Sequence, residues 1–156
     1  MSNLNISIRS LLIPLTHDTL LLPNASLAEI VVQTEIEKVD GPEWLLGMMS
    51  WRGLMVPLVS FEAIQGDTTS KLEKNSRIVV LNTLTDNSNR PFFAILAQGI
   101  PHLVNANQSV VTAIAQDAGE ENGVLQHVLV EAEPAIIPDL DKIESMISSE
   151  PSATPS

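Results

Sequence analysis

Residues 41–62 read Gly-Pro-Glu-Trp-Leu-Leu-Gly-Met-Met-Ser-Trp-Arg-Gly-Leu-Met-Val-Pro-Leu-Val-Ser-Phe-Glu, which is the longest and most patterned apolar block of the chain. The run from Trp44 to Trp51 predicts a strand, because it is too short and too interrupted by glycine for a helix. Arg52-Gly53 predicts a tight turn, since glycine adopts positive φ without steric cost. Leu54–Val59 predicts the return strand. We therefore expect a hydrophobic hairpin that carries Arg52 at its tip as an unpaired cation.

Two residues predict irregularities within this hairpin. Pro57 has no N–H to donate to a β-ladder, so its strand is expected at a sheet edge or with a bulge. Gly47, inside the first strand, predicts a bulge or the close approach of another backbone segment.

Length and composition indicate one folded domain. A chain of 156 residues with 44% hydrophobic residues and a mean hydropathy of +0.18 is long and apolar enough to bury a substantial core. Aromatic residues make up only 3% of the chain and tyrosine is absent, so the core is expected to be aliphatic.

Charge and cysteine usage exclude several classes of function. A formal net charge of −11 opposes binding to nucleic acid or to anionic membrane surfaces. The absence of cysteine excludes disulfides and thiolate metal sites and fits a reducing compartment. The sequence shows neither a secretory signal at its start nor an apolar run of the ~20 residues needed to span a bilayer. These features predict a cytoplasmic protein.

Short apolar runs separated by turn residues dominate the rest of the chain, which predicts a mainly β barrel or sandwich. The further predicted strands are 9–15, 19–22, 30–32, 78–83, 92–97, 100–104, 124–131 and 135–137. Residues 33–40, 66–75 and 113–123 are predicted loops, and Asp86-Asn-Ser-Asn89 predicts a turn.

Helical signals are few. Ser26-Leu-Ala-Glu29 matches a capping box, which predicts a short helical turn, and residues 61–65 predict another. Asp139 is the predicted N-cap of a helix through about Ile147 that docks one apolar face on the sheets. Residues 148–156, rich in serine and proline, predict a disordered tail.

The sequence offers no convergent set of catalytic groups. His17, His102 and His127 lack metal-ligand spacing, and each is interpreted as an ordinary surface or half-buried residue. Nucleophile-elbow, phosphate-loop and EF-hand patterns are absent. No catalytic residue, metal site or cofactor is therefore predicted.

The hairpin itself is the strongest candidate for recognition. Its Met and Trp side chains are more often packing than binding groups, although alternation along a strand allows both. Arg52 has two interpretations, which the sequence leaves open. It is either a turn charge or intramolecular ion pair that contributes little, or an interface anchor of the kind that arginine often provides.

The hairpin resembles the signature of CheW-like domains, the coupling proteins of bacterial chemosensory arrays. The matching residues are Gly47, Arg52, Gly53, Pro57, Leu58 and Val59. The resemblance extends over residues 8–147. The sequence of residues 50–62 most resembles the corresponding stretch of the accessory CheW-like adaptor of type IV pilus (twitching motility) chemosensory systems.

This resemblance implies a specific fold and function. The fold would be two intertwined five-stranded SH3-like β-barrels with a C-terminal helix, the second strand set returning to complete the first barrel. The function would be that of a non-enzymatic adaptor between the cytoplasmic tip of a methyl-accepting chemoreceptor and the regulatory domain of a CheA-type histidine kinase. The implied partner-binding residues are Leu27, Glu29, Ile30, Trp51, Arg52 and Gly53.

The sequence also departs from the family pattern. Val59-Ser60-Phe61-Glu62 stands where members usually continue with Ile-Asp-Leu, and Leu96-Ala97-Gln98-Gly99 lacks the Asp of the second barrel. Both departures change single polar positions and leave the predicted fold intact. The alternatives are a small β-barrel enzyme or ligand-binding domain, which would need a polar-lined pocket, and a subunit that only scaffolds an array.

Overall fold

A computed structural model of the chain describes residues 8–32, 34–67, 73–83, 91–106, 111–113 and 124–150. The strands are β1 Ile8–Pro14, β2 Thr19–Pro23, β3 Leu27–Val31, β4 Ile36–Glu37, β5 Leu45–Trp51, β6 Leu54–Val59, β7 Arg77–Asn82, β8 Phe92–Ala97, β9 His102–Ala106, β10 Val111–Ala113, β11 Val124–Val130 and β12 Glu133–Pro138. The helices are a short 3-10 helix Asn24–Ser26, α1 Phe61–Ile64 and α2 Leu140–Ser148.

The strands form two sheets. The first has the order β10-β11-β12-β2-β1-β9, and the second has the order β3-β7-β8-β6-β5-β4. The second sheet comes from one continuous segment inserted between β2 and β9, so the C-terminal strands return to the N-terminal hairpin. This confirms the predicted mainly β fold and its returning strand set.

Each sheet has six strands, where five were expected. The additional strands are β4, within the predicted loop 33–40, and β10, where no strand was predicted. They are two and three residues long, so neither carries a recognisable period of its own. Their strand character comes from pairing with β5 and β11.

The central strands bury both of their faces, which explains the continuous apolar runs in the sequence. On β7, Val79 and Leu81 pack in a core shared by the two sheets and α2, whereas Ile78 and Val80 pack in a second core within the second sheet. A third core within the first sheet includes Leu21. Alternation along each strand therefore distributes its side chains between two cores.

Helix α2 lies on the shared core through Leu140, Ile143 and Ile147. The Asp139 side chain accepts a hydrogen bond from the Lys142 backbone N–H at 3.1 Å, which confirms the predicted N-cap. The helix continues to Ser148. Of the predicted tail 148–156, residues 151–156 lie outside the described residues, as do the predicted turn at 86–89 and residues 114–123 of the predicted loop.

Gly47 lies where another backbone segment passes very close, as predicted. The β5–β6 register shifts between Leu45 and Gly47, and a Cβ added to Gly47 would lie 2.5 Å from the Glu37 carbonyl oxygen. The expectation of an edge strand for Pro57 is wrong, since β6 lies between β5 and β8. The missing N–H is tolerated because the β6–β8 ladder begins only at Leu58, and the bulge lies in β5 rather than in β6.

The predicted capping box is also wrong. Ser26 ends the 3-10 helix, and residues from Leu27 onward form β3. Pairing of β3 with β7 replaces the local helical turn, and it directs the Glu29 side chain to the β5–β6 hairpin instead of to its own backbone.

The two sheets also meet through polar groups. Glu62, in α1 beside the second sheet, is 4% exposed and accepts hydrogen bonds from the Thr16 backbone N–H at 3.0 Å and the Thr16 hydroxyl at 3.2 Å. Where the chain leaves β8, the Gln98 N–H donates to the Pro14 carbonyl at 2.8 Å. In the part of the chain that the structure describes, no helix is long and apolar enough to cross a membrane.

Candidate functional site

The turn between β5 and β6 places Arg52 and Gly53 in the left-handed region. Their φ angles are 50° and 80°, and Trp51 pairs directly with Leu54 across the turn. Positive φ at both central residues is the geometry that matches the twist of a two-residue hairpin. Glycine adopts it readily, whereas arginine does so at a conformational cost.

The Arg52 side chain is held by two neighbours. Its Nη2 donates to Glu29 Oε1 at 2.9 Å, and its guanidinium carbon lies 4.9 Å from the centre of the Trp51 ring. The description of Arg52 as an unpaired cation is therefore wrong, because β3 brings Glu29 to the hairpin tip. A stacked and hydrogen-bonded guanidinium keeps a defined orientation.

Trp51 is the buried base of this arrangement. Its Nε1 donates to the same Glu29 oxygen at 3.1 Å, and its ring meets Phe92 edge-on with centroids 4.7 Å apart and planes at 70°. The Trp51 side chain is 8% exposed, so it belongs to the core of the second sheet. Sequence reasoning missed Phe92, although it is one of only three Phe in the chain and begins a predicted strand.

Strands β3 and β5 are not neighbours in the sheet order, yet Glu29 contacts Trp51. The second sheet must therefore curve until its first strand approaches the far hairpin. The curved second sheet therefore encloses its own hydrophobic core on its concave face, as in a small barrel.

The charged pair is accessible at the surface. The side chain of Arg52 is 67% exposed and that of Glu29 is 41% exposed. Leu54 and Met55, which follow the turn, are each 41% exposed. The hairpin tip thus combines a fixed cation with adjacent apolar surface.

Of the six predicted partner-binding residues, four come together at this tip: Glu29, Trp51, Arg52 and Gly53. Leu27 and Ile30 lie on the same strand as Glu29 but pair with Leu81 and Val79, which face the shared core. Paired residues share a face of the sheet, so Leu27 and Ile30 lie on the opposite face from Glu29. Leu27 itself packs against the shared core.

Comparison with protein families gives one match over most of the chain: the model described as CheW-like domain matches residues 9–147. The chain belongs to the CheW-like domain family. The predicted resemblance is therefore confirmed at the level of the family, and the general role of a non-enzymatic scaffold or adaptor is confirmed with it.

Solved structures support the same fold. The "scaffolding protein TtCheW from Thermoanaerobacter tengcongensis" superposes with a TM-score of 0.71 at 16% sequence identity, covering 85% of this CheW-like chain and 89% of that chain. None of the curated proteins matches the chain. At this identity the likeness shows the fold, whereas the type IV pilus subtype remains a prediction.

The Met and Trp residues of the CheW-like hairpin divide between core and surface. Met48, Met49 and Trp51 are buried, whereas Met55 is 41% exposed. The packing interpretation is therefore confirmed for the buried side chains, and the binding interpretation stays a prediction for Met55.

Two of the three histidines of this CheW-like domain lie near each other. His17 lies in the exposed β1–β2 turn, His102 is on β9 and His127 is on β11. His17 and His127 line one surface pocket with Asp18 and Glu133. Within the described ranges, no group of three or more His, Cys, Asp or Glu side chains is placed to hold a metal ion.

Proposed function

We propose that this chain is a chemosensory adaptor that couples methyl-accepting chemoreceptors to a CheA-type histidine kinase in the cytoplasm. Its family supports this role. The observation that carries the proposal is Arg52, whose side chain is 67% exposed while Glu29 and Trp51 hold its guanidinium in place.

A pre-oriented arginine is well suited to bind a partner protein. The guanidinium carries several N–H donors, and the contact with Glu29 uses one of its nitrogens. A carboxylate of the partner can accept from the remaining donors as a bidentate pair, which lysine cannot reproduce. Because the side chain is already ordered, binding costs less conformational entropy than it would for a mobile arginine.

The surroundings of Arg52 offer a partner both apolar side chains and exposed backbone. Leu54 and Met55 offer apolar side chains beside the charge, and the exposed Gly53 lets a partner approach the backbone of the turn. Interfaces typically combine an apolar centre with arginine and a polar rim. The proposed partner surface is therefore apolar and carries at least one Asp or Glu.

Leu27 and Ile30 are proposed as a second contact region on the outer strand β3. Ile30 is the stronger candidate, because Leu27 packs against the shared core. The sequence of residues 50–62 resembles that of the type IV pilus adaptors, which supports a role in the control of type IV pili or twitching motility.

Direct binding tests this function. The purified chain is titrated calorimetrically with the regulatory domain of each CheA-type kinase and with a receptor cytoplasmic-tip fragment encoded in the same genome. The proposal predicts saturable binding to one kinase domain and one receptor fragment. No binding to any of them, together with a thermal shift from a small molecule, would instead support the ligand-binding alternative.

A further inference from the structure

The described strands leave four sheet edges: β9 and β10 on the first sheet, and β3 and β4 on the second. An edge strand presents unpaired N–H and C=O groups to any strand that approaches. Proteins usually protect such edges with short strands, bulges, prolines or charged side chains.

Three of these four edges carry such protection. Strand β4 has two residues and β10 has three. Strand β3 has a register shift between Leu27 and Glu29 and carries the charged Glu29. None of these edges offers a long, regular and uncharged template.

Strand β9 carries no bulge or charged Lys, Arg, Asp or Glu side chain, and its nearest proline, Pro101, precedes the strand. It spans five residues, His102–Ala106, and pairs with β1 in unbroken register from Ile8↔Ala106 to Leu12↔His102. Its sequence, His-Leu-Val-Asn-Ala, contains neither proline nor Lys, Arg, Asp or Glu. Leu103 is 46% exposed, and Ile100, just before the strand, is 68% exposed.

We propose that β9 pairs antiparallel with β9 of a second copy of this chain. A net charge of −11 opposes contact between copies over most of the surface, so an uncharged edge is where two copies can approach. The neighbouring strand β1 carries Arg9 as its only charged residue. In the paired sheets the two Arg9 residues would be three strand spacings apart, about 14 Å, which exceeds the Debye length of about 8 Å in physiological salt.

The two-fold pairing has a definite geometry. With the axis through Val104, Leu103 of each copy faces Asn105 of the other, and the two first sheets join into one. A pair of five-residue strands buries less than ~1,000 Å², which is the size of a weak or transient interface, so the dimer is expected to dissociate on dilution. This surface lies on the first sheet whereas Arg52 lies on the second, so self-association and adaptor binding can fail independently.

Sedimentation equilibrium of the full chain from low micromolar to about millimolar concentration tests the proposal, because a small interface associates only at high protein concentration. Leu103→Lys places a charge on β9. Leu125→Lys is the matched control, because Leu125 is 60% exposed on β11 of the same sheet. Each variant has nine basic and 19 acidic residues and therefore a net charge of −10. The overall repulsion between two copies is thus reduced by the same amount in both variants. Far-UV circular dichroism confirms that both variants fold.

We expect the wild-type chain and Leu125→Lys to dimerise alike, and Leu103→Lys to bind itself at least tenfold more weakly. A wild-type chain that stays monomeric at millimolar concentration would overturn the proposal. Equal association by all three proteins, or an equal loss in Leu125→Lys, would overturn it as well.

Discussion

The Arg52 guanidinium donates to the Glu29 carboxylate at 2.9 Å and so joins the tip of the β5–β6 hairpin to β3, 23 residues earlier in the chain. Trp51 donates to the same oxygen at 3.1 Å, so one carboxylate oxygen orients both side chains. Because both charged side chains are substantially exposed, the ion pair is screened by water and contributes at most about 1 kcal/mol to stability. Its main effect is to fix the direction of the arginine.

Glu29 variants separate the charge of this residue from its hydrogen bonding. Glu29→Gln removes the charge but retains an amide oxygen that can accept from Trp51, so we expect a loss below about 1 kcal/mol in the free energy of unfolding. Glu29→Ala leaves the N–H of the buried Trp51 without this acceptor and should cost about 1–3 kcal/mol. Urea unfolding followed by tryptophan fluorescence measures both. Equal losses in the two variants would contradict a role in satisfying Trp51.

Gly47 is expected to tolerate no side chain. Its φ is 154°, and an added Cβ would lie 2.5 Å from the Glu37 carbonyl oxygen and 2.6 Å from Ile36 Cγ2. Gly47→Ala must push β4 away from β5, which we expect to cost about 3 kcal/mol or more.

Gly66→Ala is the matched control for this substitution. Gly66 also has positive φ, 101°, but an added Cβ meets nothing within 4 Å. Only conformational strain remains, about 1–2 kcal/mol. Chemical denaturation of both variants should therefore show the larger loss at Gly47, and the reverse order would contradict the close approach of β4.

Glu62 is predicted to stabilise the junction of the two sheets. Its buried carboxylate accepts from both the backbone N–H and the hydroxyl of Thr16. Glu62→Ala should cost about 2–3 kcal/mol, because the part-buried Thr16 N–H and hydroxyl both lose a charged acceptor. Thr16→Val removes only the hydroxyl donor and should cost about 1 kcal/mol. If Glu62→Ala unfolds at the same denaturant concentration as the wild type, the carboxylate does not stabilise the junction.

Substitution of the histidines is expected to leave partner binding unchanged. His17 and His127 line one pocket and His102 lies on β9, all at the first sheet, whereas Arg52 lies on the second sheet. The triple variant with Gln at these positions should bind the kinase and receptor fragments within a few fold of wild type. Loss of an activity through any one of these changes, or a stoichiometric bound metal in the wild type, would contradict a simple adaptor.

Local sequence patterns predicted the regular strands well. Strands β6 and β8 match their predicted bounds of 54–59 and 92–97, because apolar runs bounded by turn residues specify strands directly. The helix α2 was predicted from its N-cap and apolar spacing. The two missed strands, β4 and β10, are too short to show a hydrophobic period. They are strands because they pair with β5 and β11.

The candidate site could be predicted only in part. Ser26 and Glu29 match a capping box locally, but pairing of β3 with β7 decides the structure and turns Glu29 toward Trp51. This partner lies 22 residues away in sequence, so no local motif contains the contact. For Arg52 the intramolecular ion pair is confirmed, and because its side chain is exposed the interface interpretation stays a prediction.

The affinity of Arg52 variants for the kinase regulatory domain and the receptor tip shows directly whether Arg52 binds a partner. Lys142→Ala is the control, since it removes one positive charge from an exposed position on α2. Arg52→Ala and Arg52→Glu should weaken binding by roughly thirtyfold or more, about 2 kcal/mol, as expected for loss of an arginine anchor. Arg52→Lys should also bind more weakly, because lysine lacks the bidentate fork.

Each variant is measured twice, for melting temperature and for affinity by calorimetry. We expect nearly unchanged melting temperatures, wild-type affinity in Lys142→Ala and lost affinity in the Arg52 variants. Unchanged affinity of Arg52→Ala for every partner, or a collapse of its melting temperature in place of an affinity loss, would contradict the claim that Arg52 binds a partner.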